Sequence, residues 1–365
     1  MNIEMLVELI HQTDEKLQRR AAVAVDRSLV IRNWLVGLYL VEFEQHGEDK
    51  AEYGEMLMAK AATRLAVRQR KGFSETNLKL FRQFYRAYSG IHQGLSGELL
   101  RQIPQTLHVE LQPVDDKSVT IRQTLSDELA GMLPLSWSHY AFLVQVENVE
   151  ERRFYEIEAA QQKWSLRELK RQFNTSLYER LALSRDKRKI QQLSRDGQIL
   201  ATPSDIIKSP LVLEFLGLED QASYSESDLE AAIISRLEHF LLELGKGFLF
   251  QSRQFRLTFD DKHFWVDLVF YNRLLRCFVV VDLKIGELTH QDIGQMQMYV
   301  NFFDRKVKTD EESPTIGILL CRSKSDAVVE MTLPADNHAI FASRYQLYLP
   351  SKDELRAQLK AFEQE

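Results

Sequence analysis

The chain has 365 residues, 44% hydrophobic and 27% charged, with a formal net charge of −6. That length suits two or three domains with ordinary cores, and no apolar run reaches the 18 residues that suggest a membrane-spanning helix. The acidic balance argues against polyanion binding by the whole surface, and two cysteines, Cys277 and Cys321, each inside an apolar run, offer neither a disulfide framework nor zinc-ligand spacing.

The first sixteen residues are amphipathic and acidic, without a basic start or a small-residue cleavage site, so they are not read as a signal peptide. The expected compartment is the cytoplasm. Residues 1–90 read as helical: Ile3, Leu6, Leu9 and Ile10 recur at helical spacing, as do Leu29, Trp34, Leu38 and Val41. A basic helix follows from Met56 to Arg68. Ser74 caps the next, with Asn77 at its third position and Leu78, Phe81, Phe84 and Tyr85 on its apolar side. This order has helix-turn-helix spacing, and Lys79, Arg82 and Arg86 would lie on the open side of the second helix. Helix pairs of this outline also occur in domains that touch no DNA.

Residues 91–124 hold two prolines and two glycines with no clean period, and read as a loop or linker. Short helices are expected over 125–133, from Ser136 through Val146, and over 148–163, with Trp137 and Trp164 in the core. A longer helix, 166–180, would bury Leu166, Leu169, Phe173, Leu177 and Leu181 and expose Arg167, Lys170 and Arg171. From Gln161 to Gly197 ten basic residues stand against four acidic ones. Such a segment inside an acidic protein is a candidate phosphate-contacting face, or else a solvated helix surface with local ion pairs. Residues 201–223, with Pro203 and Pro210, read as a connector.

From 224 onward the pattern becomes mixed: a helix over 227–245, strands over 248–258, 263–271 and 276–285, a helix over 290–304 and a strand over 314–322. A further strand is expected at 327–333, then an extended stretch 340–349 and a charged helix 351–364. The order αβββαβ predicts a mixed sheet with helices packed on it, so the fold class is α+β with an all-α, winged-helix-like N-terminal half. Ser227 with Glu230 reads as a capping box on the first helix, and Thr289 with Asp292 as one on the second. Gln295 and Tyr299, four apart, share a face.

Two strands of this region are almost wholly apolar, yet each holds a carboxylate: Asp267 in the first and Asp282 in the second, with Lys284 two residues on. A charge in a buried strand is costly unless paired or bound to a metal. One lysine cannot neutralise two acids, although a structural ion pair remains the plain alternative. A hairpin would bring the acids close together, and paired carboxylates suit a hard cation such as Mg²⁺ or Mn²⁺. The Lys284 ammonium would then orient a water or offset charge on a phosphoryl group. No nucleophile elbow or glycine-rich phosphate loop competes with this reading.

The pattern of Asp267, Asp282 and Lys284 resembles the PD-(D/E)XK nuclease superfamily. The strings YSESDLE, FLLELGKGF, DLVFYNRLLRCFVVVDLK, LTHQDIGQMQMYVNFFDR and IFASRYQLYLP resemble the YhcG-type nuclease family over the length of the chain. The resemblance implies a restriction-endonuclease-like fold for residues 224–365, a helical nucleic-acid-binding region over 1–200 and a connector at 201–223. It implies that Asp267 and Asp282 hold the metal with the Leu283 carbonyl. Lys284 takes the lysine position, Glu230 matches the helix acid, and Gln254 and Gln295 match recurrent polar positions. Glu238 and Glu243 are lesser alternatives to Glu230. Val266 stands where the motif name has proline, and Asp282 replaces the commoner glutamate. The expected activity is metal-dependent phosphodiester hydrolysis, of DNA ahead of RNA, in recombination, repair or defence. The expected partners are nucleic acid and a second copy of the chain, not a membrane. An inactive nucleic-acid-binding or assembly protein, or a helix-turn-helix regulator, is the alternative.

Overall fold

The computed structural model describes residues 26–44, 56–67, 72–91, 131–184, 187–208, 210–218, 224–349 and 351–364. The expectations for residues 1–22 and nearly all of those for 91–133 lie outside them. Contacts divide the chain into two units, Met1–Arg152 with Glu158–Leu166, and Arg153–Ile157 with Arg167–Glu365.

The first unit is helical: α1 (26–44), α2 (Leu57–Val67), α3 (Glu75–Ala87), α4 (Trp137–Leu143) and most of α5 (Val149–Gln162). The expected cap holds, since the Ser74 hydroxyl accepts from the Asn77 amide at 3.3 Å. Trp34, Phe81, Phe84 and Tyr140 are buried, with Trp137 edge-on to both phenylalanines at 5.3 Å. Close contact of α1 with α3 requires Gly37, where a Cβ would lie 2.1 Å from the Phe81 carbonyl oxygen.

In the second unit the helix expected over 166–180 is two, α6 (Leu166–Asn174) and α7 (Leu177–Leu183). Asn174, Thr175 and Ser176 interrupt it, because short polar side chains bond locally instead of continuing a helix. Thr175 donates to the Gln172 carbonyl at 3.1 Å, and Ser176 takes a left-handed φ of 53°. The helix α8 (Lys187–Asp196) follows. The helix expected over 227–245 is also two, α9 (Glu226–Ser235) and α10 (Leu237–Leu244), with the break at Arg236.

The sheet is mixed, in the order β1-β6-β5-β4-β3-β2. Its strands are β1 (Leu211–Val212), β2 (Phe248–Phe259), β3 (Lys262–Asn272), β4 (Cys277–Glu287), β5 (Ile316–Ser323) and β6 (Ile340–Gln346). β2, β3 and β4 pair antiparallel; β4, β5, β6 and β1 pair parallel. The supposed connector thus supplies an edge strand. Residues 327–333 are not a strand but lie largely within helix α12 (Asp326–Thr332), where Thr332 donates to the Val328 carbonyl and Met331 is exposed. The branched run misled, because it lacks the alternation of a strand half-buried in a sheet.

Leu229, Ile233, Phe240 and Leu244 of α9 and α10 cover one sheet face, meeting Leu268, Phe270, Val281 and Leu283. The helix α11 (His290–Phe302) covers the other with Ile293, Met296 and Tyr299 against Val266, Val280 and Leu319. Its approach needs Gly317 on β5, where a Cβ would come within 2.6 Å of the Met296 sulfur. The C-terminal helix α13 (Lys352–Gln364) sends Arg356 to Glu179 of α7 at 3.3 Å.

Candidate active site

Register aligns three candidate residues in one row. The β3–β4 ladder pairs Leu268 with Val281, so Asp267 falls opposite Asp282 one step on. The β2–β3 ladder pairs Arg253 with Leu268 and Phe255 with Val266, which sets Gln254 opposite Asp267. The row is irregular. β2 is bulged between Phe250 and Ser252, and Gln254 has a left-handed φ of 48°. For a residue with a Cβ that conformation costs of order 1–3 kcal/mol, and such strain clusters at functional sites. Beyond Leu268 the β3–β4 pairing stops, and the Leu283 amide donates instead to Asp267 Oδ2 at 2.8 Å. In an extended strand a residue's N–H and C=O project to the same edge, so the Leu283 carbonyl also faces Asp267.

Glu230 reaches this row from α9. The capping box expected on Ser227 and Glu230 is not the one formed. Ser225 is the cap, and its hydroxyl and amide donate to Asp228 Oδ2 at 2.7 and 2.8 Å. YSESDLE contains two overlapping S-x-x-acid frames, and the earlier one leaves Glu230 free of the helix end. The Gln254 amide nitrogen donates to Glu230 Oε2 and, at 3.1 Å, to Asp267 Oδ1. Glu230 Oε1 is buried without a hydrogen-bond partner, 3.7 Å from Arg253 Nε. A buried carboxylate oxygen with an ion pair but no hydrogen bond is left without a donor. Of the alternatives, Glu238 is exposed and Glu243 is fully buried in an ion pair with Arg180.

Asp282 is 3% exposed. Burial, and then the charge of Asp267, push its carboxyl up to about 7 against the opposing pull of Lys284. Lys284 Nζ lies 2.9 Å from Asp282 Oδ2, 3.8 Å from Glu226 Oε2 and 3.9 Å from Asp292 Oδ1. Burial alone would lower the ammonium's pKa; Asp282, with Glu226 and Asp292, outweighs it and holds the group above its ordinary value. Sequence reasoning missed Glu226, whose place depends on the Ser225 frame of the cap. Among the described residues no three His, Cys, Asp or Glu side chains come together as a metal-ligand group. The oxygen set is therefore two carboxylates and a backbone carbonyl, with Glu230 one side chain away across Gln254. All-oxygen donors fit a hard divalent cation.

α11 begins as expected, with Asp292 Oδ2 accepting from the Thr289 amide at 2.8 Å. Gln295 donates to the Tyr299 hydroxyl at 2.6 Å, which donates to the Trp265 carbonyl at 2.8 Å. Burial, Asp282 and Asp267, in that order, raise the Tyr299 phenol's pKa.

The candidate nucleic-acid contacts divide. Arg167 and Lys170 are exposed on α6. Arg171, expected beside them, is turned inward: it lies 3.4 Å from Glu168, 3.3 Å from Glu214 and 3.9 Å from Glu243, with Phe215 under its guanidinium. Arg180 of the same basic run is fully buried. In the helical unit Arg82 and Arg86 both reach Glu44, at 2.6 and 2.8 Å, and Lys79 pairs with Glu75 at 2.6 Å. The expected open basic side of α3 is thus partly neutralised.

Residues 204–360 match the family model described as the YhcG PDDEXK nuclease domain, and residues 9–180 match the DUF1016 N-terminal domain. Over 327 residues the chain is 42% identical to "Putative nuclease YhcG" of Escherichia coli (strain K12), a match covering 89% of this chain and 84% of that protein. A crystal structure of a repair endonuclease from Pyrococcus abyssi aligns with 36% of this chain and 50% of its own, at 17% identity and a TM-score of 0.24, a likeness too slight to bear on fold or function.

Proposed function

This chain belongs to the YhcG-type PDDEXK nuclease family, and from that premise we propose that it is a metal-dependent phosphodiester hydrolase acting on nucleic acid, DNA ahead of RNA. The observation that carries the reading is the row of Asp267 and Asp282 with Lys284 at 2.9 Å, where the sheet ladder opens. Recombination, repair or defence are the processes such an activity serves.

Asp267, Asp282 and the Leu283 carbonyl would hold Mg²⁺ or Mn²⁺, with Glu230 contributing Oε1. A cation so bound supplies an acidified water and neutralises charge on phosphoryl oxygens. The raised pKa of Lys284 makes it a hydrogen-bond donor, not a base. Its role is to fix the attacking water or a non-bridging oxygen and to offset negative charge as it develops. Asp282 would release a proton on holding a cation, since burial and Asp267 otherwise push its carboxyl up to about 7. Gln254 spends its amide N–H groups on Glu230 and Asp267, and so holds those carboxylates at a fixed separation. One N–H of Gln295 is committed to Tyr299, and the rest of its amide orients water or phosphate. The helical N-terminal region, with Arg167 and Lys170 of α6, would grip the phosphate backbone.

The test is cleavage of single-stranded, duplex and branched DNA, and of RNA, with Mg²⁺ or Mn²⁺. Loss of cleavage in the Asp282→Ala, Lys284→Ala double variant is expected. Activity surviving that change would overturn the assignment.

A further inference from the structure

We propose that Trp265 is a base-stacking platform beside the carboxylate row, so that the substrate is engaged through an unpaired nucleobase. The inference rests on the nuclease reading and sharpens it to single-stranded or frayed nucleic acid.

Of four tryptophans, Trp34 and Trp164 are buried and Trp137 packs on Phe81 and Phe84. Trp265 is 47% exposed. Its flat apolar ring is open to receive another flat surface, the setting in which tryptophan is enriched at interfaces. Phe264 and Val266 fill the cluster under α11, so at period 2 Trp265 projects from the other face. Leu268 fills the cluster on that other face, so the alternation breaks at Asp267, whose carboxylate is reached by the Gln254 amide at 3.1 Å. On β2, Phe255 and Leu257 fill the cluster under α11, which turns Gln254 and Arg256 outward. Register pairs Arg256 with Trp265 and sets Gln254 opposite Asp267. Cation, indole, amide and carboxylate thus form one patch, two residues deep on each strand.

Charge around the indole favours a polyanion. The Arg256 guanidinium lies 2.9 Å from His263 Nε2, and the His263 ring stands edge-on to Trp265 at 6.1 Å. Arg253 and Lys262 are exposed on the same two strands; Asp260 and Asp261 stand at the hairpin turn. The Trp265 carbonyl, accepting from Tyr299 at 2.8 Å, anchors the platform to the helix that carries Gln295. Two residues along a strand span about 7 Å. That equals roughly two base steps at about 3.4 Å each. A base on Trp265 therefore belongs to a nucleotide next to, or one beyond, the phosphate at Asp267. Paired bases in a duplex have their faces covered by their neighbours, so only an unpaired one can stack here. Stacking of this kind is indifferent to base identity.

The experiment measures binding apart from cleavage. Tryptophan emission of the full chain is followed on adding a 16-nucleotide oligothymidylate, the matching oligouridylate or a duplex of equal length, in Ca²⁺ and separately in chelator. We expect single strands to quench the emission of the wild type but not of Trp265→Phe. We expect Trp265→Ala to weaken single-strand binding about tenfold, within the range measured for one stacked base. Trp265→Phe should restore most of that affinity, and duplex affinity should be unchanged in both variants. Unaltered single-strand affinity in Trp265→Ala, equal losses on single strand and duplex, or no quenching in either ionic condition would each overturn the proposal. Failure of the nuclease reading shows differently: no cleavage with Mg²⁺ or Mn²⁺, while quenching and the tenfold effect persist.

Discussion

Replacing Asp282 by Asn should stabilise the metal-free protein, and only above the acid range. The carboxyl stands near 7 in the folded chain against 3.8 for an ordinary aspartate, so the folded state binds the proton more tightly than the unfolded one. With the folded value raised, the acid imposes no penalty below the unfolded pKa; the penalty grows as pH climbs to about 7 and is complete above it. At roughly 1.36 kcal/mol per unit the ceiling is about 4 kcal/mol. The lysine is not orphaned by the change, because Glu226 and Asp292 remain at 3.8 and 3.9 Å. Calorimetric melts in chelator should place Asp282→Asn several degrees above wild type at pH 8, with the gap shrinking to about two-fifths at pH 5. Two units need not melt together, so exchange protection of the β4 amides, Leu283 among them, should show the same gap. Adding Mn²⁺ should reverse the order, since the variant lacks one of the proposed ligands. A wild type as stable as the variant at pH 8 in chelator would refute the reasoning, as would an equal Mn²⁺-induced shift in both proteins.

The buried pair of Arg180 with Glu243 gives a second test: Glu243→Gln should cost about 3–5 kcal/mol in denaturant melts by leaving the arginine uncompensated, and Arg180→Met with Glu243→Leu should recover much of it. Gln254→Ala removes the donor shared by Glu230 and Asp267, and calorimetric titration should find Mn²⁺ bound about 10–100-fold more weakly. If α6 contacts phosphate, Arg167→Glu with Lys170→Glu should weaken duplex binding across sequences and flatten its salt dependence by about 0.9 per lost contact. Arg171→Glu should instead lower the melting temperature, because it sets a fourth acid against Glu168, Glu214 and Glu243.

The strands and the acids within them were legible because apolar β-branched runs interrupted by a lone carboxylate admit few readings. Thr289 with Asp292 was legible for the same reason, one cap frame being available. At YSESDLE there were two, and the local sequence cannot choose between them; burial of Leu229 and Ile233 against the sheet does. The charge count over 161–197 failed differently. It treats every arginine as surface, yet Arg171 and Arg180 turn inward to Glu214 and Glu243, acids far along the chain that no helical period reveals. The connector strand β1 was hidden because two residues, Leu211 and Val212, carry no period at all.

What the sequence could least announce is the irregularity that makes the site. Nothing in QSRQF signals a left-handed glutamine, and nothing in FWVDL signals that pairing with β4 ends at Leu268. Had the ladder run on, the Leu283 amide and carbonyl would have gone to the backbone of Val266, and Asp267 would have faced Asp282 with no polar gap between the strands. The bulge in β2 and the turn at Gln254 instead bring an amide to two carboxylates, and the parted ladder leaves backbone oxygen beside them. Dense apolar packing on both sheet faces can hold such a defect in place. The strain therefore belongs with the acids: a regular strand at Gln254 would take its amide away from Glu230 and Asp267.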